Sequence, residues 1–100
     1  MDRAKPTEPW EPNVVAPRLI ALRESLGMNK VEFAARIGVD KSSYTKIEKG
    51  EKPLQTSAAY KIWQLWGVDL NYLYLGQIGG LPHRLSSTII THLNSDQPHS

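Results

Sequence analysis

The chain contains no cysteine in its 100 residues, which removes disulfides, thiolate metal sites and cysteine nucleophiles together. It has no apolar run near the ~18 residues a membrane helix requires, and no signal-peptide pattern opens it. The expected setting is cytoplasmic, away from any membrane. Strand-like alternation is missing, and no segment repeats. Catalytic constellations are missing as well. His83, His92 and His99 are spaced nine and seven apart with no carboxylate cluster among them, which is not metal-ligand spacing. The glycines form no phosphate loop, and no strained strand-to-helix turn presents a serine nucleophile. These absences point away from an enzyme; no cofactor or metal is expected.

What is present suits one small domain, since 40% of the residues are hydrophobic and 22% charged. Without covalent staples, such a domain rests on helix packing or on a partner chain. The net charge of +2 says little, but its distribution says more. Residues 18–52 hold eight Lys or Arg against five acids, while residues 53–100 balance two against two. Positive charge is thus concentrated in the first half of the presumed fold. That is a modest footprint for nucleic acid, and a solvated helical face has a similar one.

The chain divides into three parts. Residues 1–13 carry Pro6, Pro9 and Pro12 without a hydrophobic period and read as an extended arm. Trp10 within it is expected to pack on the chain's own domain. Residues 14–76 read as helical throughout. Val15, Leu19, Leu22 and Leu26 line one face of a first helix, with Pro17 in its opening turn and Gly27 after it. Asn29 caps a second helix to Ile37, with Phe33, Ala34 and Ile37 inward, and Gly38 breaks it. Asp40 caps a third helix, Lys41 to Lys49, with Tyr44 and Ile47 inward and Gly50 as its stop. A fourth, from about Gln55 to Trp66, places Ala59, Ile62, Trp63 and Trp66 on one stripe. Trp63 and Trp66 therefore read as core rather than as a stacking platform. Asp69 caps a short fifth helix through Tyr74. The fold class is all-α, five short helices in a compact domain.

Residues 77–100 form an extension that begins at Gly79-Gly80. Leu81, Leu85, Ile89 and Leu93 recur every fourth position, predicting a helix over 82–93, and the residues after Asn94 read as a disordered tail. Such a narrow stripe needs cover, from the chain's own domain or from a second subunit. The second is expected here, which makes these four residues dimer contacts.

The two middle helices, joined through Gly38 with Ala34 at their close approach, form a helix-turn-helix pattern. The motifs around it are Leu26-Gly27-Met28-Asn29, Phe33-Ala34, Ile37-Gly38-Val39, Ile47-Glu48-Lys49-Gly50, Leu65-Trp66-Gly67-Val68 and Asn71-Tyr72-Leu73. Over about Arg18 to Gly76 this ordered set resembles the lambda and 434 phage repressor and Cro (XRE-type) superfamily. The resemblance implies a lambda-repressor-like domain whose third helix enters the major groove of an operator in double-stranded DNA. It implies base contacts from Lys41, Ser42, Ser43 and Lys46, and phosphate contacts from Asn29, Lys30, Lys49 and Lys52. Lys30 departs from the usual glutamine, which puts the usual amide bridge to a base-contacting side chain in doubt. Tyr44 departs from a branched aliphatic, so its phenol needs a partner, solvent or a nearby phosphate. Arg23 and Glu48 match a structural ion pair between the first and third helices.

The expected function is that of a small bacterial or phage transcriptional regulator, a repressor acting as a homodimer. The rival readings are an antitoxin or adaptor that docks a protein partner, such as a toxin, through residues 81–93, and a helix-turn-helix module that has lost DNA binding and serves only in assembly. Lys41, Lys46 and Lys49 favour retained DNA contact over the latter.

Overall fold

The computed structural model describes residues 7–95. The first six residues of the expected arm and the end of the expected tail, including His99, lie outside the described residues. The chain runs through α1 (Pro12–Ser25), α2 (Lys30–Ile37), α3 (Lys41–Glu48), α4 (Thr56–Trp66), α5 (Leu70–Leu75) and α6 (His83–Ser95). Among the described residues there is no strand.

The helix starts follow from local chemistry. Asn29 and Glu32 form a reciprocal capping box, the Asn29 side chain accepting from the Glu32 N–H at 2.8 Å and Glu32 accepting from the Asn29 N–H at 3.0 Å. Asp40 and Asp69 accept from the third residue of α3 and α5 respectively. Between α2 and α3 lie only Gly38, Val39 and Asp40. Gly38 has φ +76°, so the reversal needs a residue without a Cβ, and the Val39 N–H returns to the Ala34 carbonyl at 2.9 Å. Gly50 is required for a second reason. A Cβ there would lie 2.9 Å from the Asn13 Cα, because the chain leaving α3 touches the first turn of α1.

α1 opens at Pro12, two residues before the expected Val14, because the Glu11 carbonyl already accepts from the Val14 and Val15 N–H groups. Proline is well suited to that first position. Pro17 consequently lies in the second turn, not the opening one. There its missing N–H leaves the Asn13 carbonyl without the usual helical donor.

The core gathers the inner faces of all six helices. Phe33 stacks on Trp66 with centroids 5.2 Å apart and meets Tyr44 edge-on at 5.6 Å. Trp63 does not join them. It is 51% exposed and stacks on Tyr60 at 5.8 Å, on the outside of α4. The buried stripe of α4 is Ala58, Ala59, Ile62 and Trp66, and Trp63 stands about 100° around the helix from Ile62. Trp10 is also exposed rather than packed on the domain.

α6 packs on α1 more extensively than any other pair of helices packs together. Leu81, Leu85 and Ile89 are buried in the chain's own core, and Leu93 packs against it. These four, expected as dimer contacts, therefore already have their cover from within the chain. On α1, Ala16 and Ala21 are buried in addition to Val15, Leu19 and Leu22, so α1 is enclosed on more than the leucine side. A pair between His92 Nδ1 and Glu24 Oε1, 3.3 Å apart, joins the two helices at their rim.

Candidate nucleic-acid interface

α3 is divided between two environments. Tyr44, Ile47 and Glu48 are buried, whereas Lys41, Ser42 and Lys46 are exposed and Ser43 is half-buried. The inner face is fixed by a network of charge-assisted hydrogen bonds. Arg23 Nε donates to Glu48 Oε2 at 2.7 Å and Arg23 Nη2 donates to Oε1 at 3.2 Å, a two-pronged pair. A third donor, Arg23 Nη1, reaches the Met28 carbonyl at 3.0 Å. The Glu48 side chain is only 4% exposed.

Tyr44 completes the network, with its hydroxyl donating to Glu48 Oε2 at 2.5 Å. Of the partner, solvent or phosphate that the phenol needs, it takes the first: the residue is fully buried, one helical turn from its acceptor. Burial, reinforced by the Glu48 carboxylate, pushes the phenol well above the usual tyrosine range, so it remains a donor. For Arg23, burial acts downward, but the bond to Glu48 and its charge outweigh it and the net shift is upward. The network ties α1, the α1–α2 turn and α3 into one unit.

The outer face carries a different network. Asp40 Oδ2 accepts from the Ser43 N–H at 3.1 Å and from the Ser42 hydroxyl at 2.8 Å. Lys52 Nζ, from beyond the end of α3, donates to Ser43 Oγ at 3.0 Å. The bond from the Ser43 amide, then those from the Ser42 and Ser43 hydroxyls, lower the Asp40 carboxyl to a pKa of about 2. Beside this cluster runs a groove of about 240 Å³, lined by Asp40, Ser43, Lys52, Gln55 and Ser57 among others. Gln55 stands at the start of α4 and makes no side-chain cap bond.

Of the expected site residues, the structure joins Ser43 with Lys52 and Arg23 with Glu48. Asn29 and Lys30 are exposed at the start of α2, and Lys49 is exposed just past α3. The Asn29 side-chain oxygen is already engaged in its capping box. Asp40, taken from the sequence only as a cap, is the centre of the outer network. The Ser-Ser pair two and three residues after an aspartate cap was the available signal.

Arg18 is a second group whose role the sequence hid. It donates to the Pro9 carbonyl at 2.7 Å and to the Leu73 carbonyl at 3.1 Å, tying the entering chain to α5. Its own carbonyl accepts from the Tyr72 hydroxyl at 2.7 Å.

Among the described residues, no three His, Cys, Asp or Glu side chains converge as metal ligands. No helix among them is long and apolar enough to cross a membrane. A helix-turn-helix family model matches residues 19–73, more than half of the chain. No curated protein sequence and no solved structure matches it.

Proposed function

Because the chain belongs to the helix-turn-helix family, we propose that it is a sequence-specific regulator of transcription that binds double-stranded DNA. In this reading it is of the lambda and 434 repressor and Cro type and acts as a repressor, with α3 in the major groove. Lys41, Ser42, Ser43 and Lys46 meet base edges, and Asn29, Lys30, Lys49 and Lys52 meet phosphates. One observation carries the reading. α3 is locked from behind by Tyr44 and Glu48 while its exposed face offers lysines and hydroxyls and no apolar side chain.

Two copies on a pseudo-palindrome, with half-sites about 34–36 Å apart, would double the base contacts. Since the α6 stripe is internal, pairing is assigned to the exposed face of Tyr60, Trp63 and Leu70, which line one concavity between α4 and α5. That same face favours a second reading, in which an antitoxin or adaptor holds a protein partner there.

Selection of bound sequences from random DNA tests the function. The expected result is one enriched motif with two-fold symmetry, and no enrichment contradicts DNA binding. Light scattering on the intact chain and on Trp63→Glu tests the pairing. A dimer that the substitution dissociates is expected, and a monomer in both cases contradicts it.

A further inference from the structure

The cluster at the head of α3 suggests what its acidic residue is for. We infer that Asp40, besides capping α3, determines sequence specificity, with Asp40 and Ser42 together presenting acceptors that select cytosine at one operator position. This rests on the DNA-binding reading above.

The argument begins with hydrogen-bond capacity. A serine hydroxyl normally serves any base, because it both donates and accepts. The Ser42 proton is engaged on Asp40 Oδ2, so toward solvent Ser42 offers lone pairs. The Ser43 oxygen receives Lys52 Nζ, which holds that lysine over the head of α3. Asp40 is exposed, and its Oδ2 accepts from the Ser42 hydroxyl and the Ser43 N–H. With the Ser43 hydroxyl also bonded to it, the carboxylate has taken three donors and keeps acceptor capacity for one more. The carboxylate stays ionised at neutral pH, so it accepts and never donates.

Base chemistry then narrows the choice. Cytosine shows only its N4 amino group in the major groove, a donor that suits a carboxylate. Adenine sets the N7 acceptor beside its N6 amino group, and guanine and thymine present acceptors, all of which a carboxylate repels. Lys41 and Lys52 flank Asp40 and offset its repulsion of nearby phosphates.

The test exploits the fact that asparagine and serine cap a helix about as well as aspartate. Sequences are selected from random DNA with the intact chain, Asp40→Asn and Asp40→Ser, and each protein's thermal melt is recorded. The wild-type motif should contain a cytosine whose replacement weakens binding roughly 5- to 150-fold. Asp40→Asn should move that one position toward adenine, which an amide can bond through both N6 and N7. Asp40→Ser should relax the position without a new preference. Motifs identical in all three proteins overturn the inference, as does uniformly tighter binding with unchanged base preference. A wild-type chain that enriches no sequence fails at the earlier step and overturns both readings.

Discussion

The two faces of α3 hold their polar groups in opposite circumstances. On the inner face, Tyr44, Glu48 and Arg23 are closed off from water and bonded to one another. On the outer face, Lys41, Ser42 and Lys46 are exposed, and only the Asp40 and Lys52 contacts restrain the serines. Buried charge-assisted bonds are costly to break one at a time, because the remaining partner loses both water and its counter-charge. Exposed groups are cheap to change and free to meet a ligand. The inner face therefore sets where the helix sits, and in the proposed function the outer face sets what it reads.

The largest expected effect lies on the inner face. Arg23→Met leaves the Glu48 carboxylate nearly enclosed without its cation, and a denaturant titration should show a loss of about 3–5 kcal/mol. Tyr44→Phe keeps the ring contact with Phe33 but removes one donor to a buried carboxylate. A loss of about 1.5–3 kcal/mol is expected in the same measurement. A Tyr44→Phe loss as large as that of Arg23→Met would mean that the phenol, not the guanidinium, is the main partner of Glu48.

Outer-face changes should leave stability almost untouched. Lys49→Ala should weaken binding to all sequences alike and lower the salt dependence by about one counterion, as read from affinities across a salt series. An unchanged slope would remove Lys49 from the phosphate contacts. The smallest effect concerns pH. Asp40 has a folded-state pKa of about 2, below its ordinary 3.8, so its capping contribution is complete above about pH 4. It fades as pH falls through about 2. The stability difference between wild type and Asp40→Gly should therefore shrink over that interval in thermal melts.

Much of this comparison was legible in the sequence, for identifiable reasons. Caps and glycine stops act through backbone geometry within a few residues, so Asn29, Asp40, Asp69 and Gly38 marked their helix ends correctly. The Arg23–Glu48 pair spans 25 positions and came from family resemblance, since no local rule joins them. Tyr44 was legible as an inward residue, but the partner of its phenol was left open although the acceptor stands four residues away on the same helical face. The place of Trp63 and the cover of α6, though not the helix itself, were misread for a shared reason. Periodicity identifies an apolar face but not what covers it. Trp63 flanks a stripe already filled by Ile62 and Trp66, and the stripe of α6 found its cover in the chain's own core, against α1. The assignments of individual side chains to bases and phosphates depend on a partner molecule and rest on the proposed reading.

The division between the faces is tested most directly by running Lys41→Ala and Tyr44→Phe through the same random-DNA selection, with a thermal melt of each protein. Lys41→Ala should change the preferred base at one position, by about 1–3 kcal/mol, with its melting temperature essentially unchanged. Tyr44→Phe should melt lower and, at a temperature where it is folded, select the wild-type motif. An unchanged motif with Lys41→Ala, or an altered one with Tyr44→Phe, would contradict the assignment of reading to the outer face and positioning to the inner.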